Sequence, residues 1–163
     1  MAGSARRTSR TQGEPTPVPP VGRTPAPGDG SDPGGPLVAV CTGHRCAALR
    51  GLAGEPDQLG ELRRAVRESP GGVLVTAGCV GACALGAVAA VAHRYGEPTR
   101  VGAAVWLTGV QEPDRAAALV AWVRSGGPGP GPDAGPPESL AGAVAGLGSP
   151  PRVLGRAAGR QER

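Results

Sequence analysis

The sequence predicts a small α/β domain in the order β-α-β-β-β-α, with a four-stranded mixed sheet and a disordered tail at each end. Three observations carry this expectation. Two continuous apolar runs, Leu37-Val38-Ala39-Val40 and Val73-Leu74-Val75-Thr76-Ala77, have the length and composition of strands buried on both faces. Between them, Leu59, Leu62 and Val66 form one stripe at helical spacing. At the ends the composition turns to Gly and Pro, and residues 127–137 read GPGPGPDAGPP. Such segments bury too little apolar surface to offset the entropy of ordering their backbone. The folded domain is therefore set at 37–126, with a disordered N-terminal tail over 1–36 and a mostly disordered C-terminal tail over 127–163.

Taken in order, Pro36 precedes the first strand, which ends at Cys41. Ala47-Ala48-Leu49 begins a short helical piece. The main helix runs from about Pro56 to Glu68, with proline suited to its first turn and Ser69-Pro70-Gly71-Gly72 ending it. The second strand, Val73 to Ala77, leads into Gly78-Cys79. Two strands joined through a helix make a βαβ unit, so they are expected to be parallel with a right-handed crossover. Ala87–Ala92 and Gly102–Leu107 read as further strands, joined through Gly96-Glu97-Pro98 as an antiparallel hairpin. A last helix spans about Pro113 to Arg124, with Ala116, Leu119, Val120 and Val123 as its stripe and Gly126 as its stop. In the C-terminal tail, Leu140, Val144 and Leu147 fall at helical spacing and suggest a short helix over 139–147.

Composition excludes several functions. The formal charge is +4, but the excess is thin everywhere: residues 37–126 hold nine Arg against seven Asp plus Glu, and each tail holds four against three. No basic run with interleaved aromatics appears, which argues against nucleic-acid binding. No apolar stretch of about 18 residues exists, so no membrane-spanning helix is expected. Arg6-Arg7 is followed by Thr, Ser, Gln and Pro and not by an apolar segment, so an export signal of the usual form is not expected either. The compartment expected is the cytoplasm, where paired cysteines serve metal binding or redox chemistry more often than structural disulfides.

The chemistry concentrates in four cysteines: Cys41 and Cys46 in CTGHRC, Cys79 and Cys83 in GCVGAC. The βαβ reading puts both pairs at the carboxyl ends of neighbouring parallel strands, where open α/β sheets place their ligands. Four thiolates suit a [2Fe–2S] cluster, two per iron. They also suit one tetrahedral structural Zn²⁺, or thiols cycling through disulfides. Cys-x₄-Cys and Cys-x₃-Cys are wider than the Cys-x₂-Cys usual for zinc and for thiol–disulfide enzymes, although the range reported for zinc reaches that far. Gly43, Gly78 and Gly81 allow a close approach of backbone N–H groups to sulfur, which favours the cluster. His44 falls between the first pair and reads as a supporting or solvent-facing group, while Arg45 and Arg50 stand near enough to influence a cluster's potential. Trp106 and Trp122 read as core residues and His93 as a surface residue. No phosphate loop, dinucleotide fingerprint or Ser/His/Asp set stands out, so an enzyme in its own right is not expected.

Residues 37–126, with Cys-x₄-Cys after the first strand, Gly-Cys-x-Gly-x-Cys after the second and the later VWLTGV before a helix, resemble the thioredoxin-like [2Fe–2S] ferredoxin family. That family includes small ferredoxins and a peripheral subunit of respiratory NADH dehydrogenases and related hydrogenases. The Cys-x₄-Cys spacing is similar to the subunit branch, whereas the Pro/Gly-rich N-terminus differs from that branch's helical extension. Ala82 and Ala87 stand where the family often has proline. The resemblance implies a thioredoxin-like fold, a [2Fe–2S] cluster held by Cys41, Cys46, Cys79 and Cys83, and an electron carrier working between a reductase and an acceptor protein, with a homodimer as an open arrangement. The alternative is a zinc- or cluster-stabilised interaction module that carries no electrons.

Overall fold

The computed structural model describes residues 32–54, 57–96, 100–129 and 135–149. The expected N-terminal tail lies outside the described residues as far as residue 31. The expected C-terminal tail does so at 130–134 and 150–163, and the expected hairpin turn at 97–99.

Strand β1 (Gly35–Cys41) is buried along its whole length and lies inside a mixed sheet, with a neighbour on each side. Its continuous apolar sequence suits a strand paired on both sides and covered on both faces. Strand β2 (Val73–Ala77) pairs parallel to one side of it, as the βαβ reading expects, and β3 (Val88–Arg94) pairs antiparallel to the other. β4 (Ala104–Thr108) lies antiparallel to β3. The chain then adds β5 (Val144–Gly148) antiparallel to β4, giving the sheet order β2-β1-β3-β4-β5.

The sheet therefore has five strands and not the four expected. The helix expected over 139–147 is replaced by a four-residue helix, Glu138–Ala141, followed by β5. Leu140 is fully buried, but Val144 and Leu147 are exposed, so their helical spacing reports no shared face. One glycine of β5, Gly148, has a packing reason. Gly146 pairs with Trp106, and a β-carbon at Gly148 would stand 3.0 Å from the indole nitrogen of Trp106. The large ring needs a small neighbour at Gly148, and the period-2 apolar pattern that marks a strand is lost in this glycine-containing segment.

Four helices accompany the sheet. In chain order they are α1 (His44–Leu52), α2 (Gln58–Glu68), α3 (Pro113–Arg124) and α4 (Glu138–Ala141). α2 starts at Asp57, whose carboxylate accepts the Gly60 N–H at 2.9 Å, and it buries Leu62, Ala65 and Val66. α3 begins at Pro113 and buries Leu119, Trp122 and Val123, which confirms Trp122 as core. These side chains join Val38, Val40, Ala89, Val91, Val105 and Leu107 in the main core, so α2 and α3 cover one face of the sheet. Leu37, Ala39, Ala90, Ala92 and Ala104 form a second cluster on the opposite face. Trp106 is half-buried and packs against both. Between the two helices, Arg124 pairs with Glu68 at 2.9 Å and Glu61 at 3.5 Å. Buried Ser69 sits between Ala65 O (2.9 Å) and Val123 O (2.8 Å), tying the end of α2 to α3. No described helix is long and apolar enough to cross a membrane.

Candidate metal centre

The parallel register of β1 and β2 is what brings the cysteine segments together. Cys41, the last residue of β1, is level with Ala77, the last residue of β2. The pairing continues one step further: Thr42 donates both its N–H (2.7 Å) and its hydroxyl (2.9 Å) to the Ala77 carbonyl. Gly43 then packs on the second arm, so closely that a β-carbon there would overlap the Gly78 carbonyl oxygen and stand 3.3 Å from Cys79 Cβ. Only glycine permits this approach.

Cys46 occupies the first turn of α1 and not an open turn, and it is the one residue that α1 buries. The helix has no apolar stripe, which is why only Ala47-Ala48-Leu49 suggested it in the sequence. Its amino end adjoins Cys41, so the positive end of its dipole lies beside that thiol. The Cys46 thiol lies 3.8 Å from the Gly86 carbonyl, and the Cys41 thiol 4.0 Å from that of Gly78. Gly86, at φ 82°, adopts the left-handed conformation that turns the second arm back toward β3.

Cys41 and Cys46 are buried thiols that share a hydrogen bond. Burial opposes ionisation of Cys41, but the Gly43 and Val80 amides, the Cys46 thiol and the Arg50 charge outweigh it and hold its pKa below the ordinary 9.0. Cys46 is pushed up, first by burial and then by the hydrogen bond and charge of Cys41, with the Val88 amide and Arg50 opposing. The pair therefore ionises in sequence, Cys41 first. Cys79 is exposed, and the Gly81 N–H donates to its sulfur at 3.4 Å. Cys83 opens a single 3₁₀ turn, Cys83–Leu85; its side chain lies outside the described atoms. Among the described residues, no group of three or more His, Cys, Asp or Glu side chains is gathered to hold a metal.

Several features nonetheless fit a group bound by thiolates. The two buried sulfurs have amide donors directed at them, and a half-buried guanidinium stands behind them. Arg50 Nη1 donates to the Cys41 carbonyl at 2.9 Å, while its Nη2 is buried without a hydrogen-bond partner. A half-buried cation with a buried, unused donor suits a site whose bound state is negatively charged.

The other residues singled out from sequence fall elsewhere. His44 and Arg45 are exposed on α1. His93 lies on β3, five residues beyond Val88, which faces the cysteine arm; it is half-buried and not a surface residue, and its ring meets Tyr95 edge-on at 5.0 Å. Two residues that sequence reasoning did not select stand behind the cysteines. Gln58 Nε2 donates to the Gln111 carbonyl at 2.9 Å, and Gln111 Oε1 accepts the Ala87 N–H at 2.9 Å. Nothing in their local pattern distinguishes these glutamines from surface ones. Set beside known proteins, the chain matches no family model and no curated protein.

Proposed function

We propose that the protein is a small electron carrier of the thioredoxin-like [2Fe–2S] ferredoxin type, with Cys41, Cys46, Cys79 and Cys83 as the four ligands. The observation that carries the reading is the packing of Gly43 against Gly78 and Cys79, which joins the two cysteine arms at one sheet edge. A [2Fe–2S] cluster supplies one-electron transfer between its two iron oxidation states. The chain's own residues would hold the thiolates: the Gly43 and Val80 amides help keep the Cys41 pKa below its ordinary value, and the Gly81 amide donates to Cys79. The exposure of Cys79, Val80 and Leu85 leaves this edge open to a redox partner. The same exposed apolar residues favour a second reading, a zinc- or cluster-bearing module that uses the edge only for binding.

Iron, zinc and acid-labile sulfide analysis of anaerobically purified protein tests the proposal. The expected result is two irons and two sulfides per chain with visible absorption, and a spin-half EPR signal on reduction. A full complement of zinc without iron or sulfide overturns it. A cluster that no protein reductase can reduce favours the binding module.

A further inference from the structure

The two arginines of the cysteine edge are turned in different directions by the same helix. Arg45 is exposed, whereas Arg50 points back to the Cys41 carbonyl. Arg50 lines a water-sized cavity of about 20 Å³ together with Val40, Leu62, Ala89 and Leu119. Gln58 shares that cavity, and its Oε1, like Arg50 Nη2, is buried without a hydrogen-bond partner. Through Gln111, Gln58 is tied to Ala87 at the base of the second cysteine arm. A polar belt thus runs from the backbone of Cys41 to the residue that follows Gly86.

Arg50 makes no ion pair among the described residues, and Asp57, which shares a cleft with it, accepts the Gly60 N–H instead. Residues 33–54 and 70–96 contain neither Asp nor Glu. A cation on an apolar floor is costly unless an opposite charge offsets it. Beside Asp57 in that cleft, the groups whose charge acts on Arg50 are the two buried sulfurs, Cys46 and then Cys41.

We infer that Arg50 is the fixed counter-charge of the four-thiolate site and raises the reduction potential of the cluster held there; the inference rests on the ferredoxin reading above. Reduction of such a cluster by a donor protein would add one electron and make the site more negative by one charge. A fixed positive charge stabilises that state more than the oxidised one. Arg50 is a positioning and tuning residue, acting through the field at the sulfurs and the Cys41 backbone. Being half-buried, Arg50 is screened by salt less than the exposed Arg45.

The test is an anaerobic mediator-coupled redox titration of the iron-loaded protein, followed by visible absorption, for wild type, Arg50→Met, Arg50→Gln and Arg45→Met. The expected result is a lower midpoint potential in both Arg50 variants, persisting at high salt, with Arg45→Met close to wild type. If Arg50→Met fails to load, Arg50→Gln supplies the measurement, because it removes the charge while keeping a polar amide, though on a shorter side chain. An Arg50 variant with full iron and an unchanged potential overturns the inference and leaves the ferredoxin reading standing. Wild-type protein without iron overturns both.

Discussion

Gly43 is the position where a single added methyl group tests how the site is built. Its backbone (φ −59°, ψ 159°) is ordinary for any residue, so replacement carries no conformational strain. The cost comes from contact alone. A β-carbon would overlap the Gly78 carbonyl oxygen and press on Cys79 Cβ at 3.3 Å. Because the obstacle is backbone and not the tip of a flexible side chain, relief requires one cysteine arm to move away from the other. Overpacking of this kind costs about 1–3 kcal/mol, and the rigid obstacle places Gly43→Ala in the upper half of that range. The displacement also pulls Cys79 from Cys41, so metal retention is expected to fall more than stability does. Gly78→Ala is the matched control, since a β-carbon there meets nothing within 4 Å. Urea denaturation of the metal-free variants gives the stability change, and iron or zinc content after gel filtration gives the retention. Gly43→Ala that holds metal as wild type does, with a loss below about 0.5 kcal/mol, refutes the claim that this contact joins the two arms.

Two further outcomes are expected. Leu140, fully buried in the core beneath the short helix before β5, should cost about 2–5 kcal/mol when changed to Ala; a loss below about 1 kcal/mol by urea denaturation would show that the segment after residue 126 adds little to the fold. Asp32 donates no proton to its partners: it accepts from Arg94 and Gly34, and the Arg94 hydrogen bond, ahead of the Gly34 amide, holds its carboxyl below the ordinary 3.8. A lowered carboxylate pKa contributes stability that is present above the unfolded value and lost as pH falls through the folded one, so the difference in melting temperature between wild type and Asp32→Asn should close below about pH 4. A difference that persists unchanged at pH 2 contradicts this role.

How much of this was legible in the sequence depends on whether the signal was local. α2 and α3 carry apolar stripes that meet the core, and α3 spans the residues its pattern indicated. The β1 and β2 runs were legible because both strands carry continuous apolar sequence. α1 was largely hidden because it buries only Cys46, leaving a helix without a stripe. β5 was misread because Leu140, Val144 and Leu147 fall at helical spacing without sharing a buried face, while Gly148 answers to Trp106 on the neighbouring strand, a tertiary demand with no local signal. The start of the fold was placed late for a related reason: Gly35 and Pro36 read as tail, yet they are buried in β1, and the Asp32–Arg94 ion pair lies before them.

The cysteine arms show the same division. Their spacing is local, so the sequence could mark Cys41, Cys46, Cys79 and Cys83 as one set. Their juxtaposition follows from the parallel strand pairing, since a shift of one residue in the register of Cys41 with Ala77 would carry Gly43 off Gly78 and turn the following side chains to the other face. The inward turn of Arg50 was not legible at all. Arg45 and Arg50 look equivalent in the chain, and only the direction of α1 relative to the Cys41 carbonyl separates them. Charge near a site can be counted from sequence, but whether it is buried, and so able to act on the sulfurs with less screening, is decided by how the helix lies.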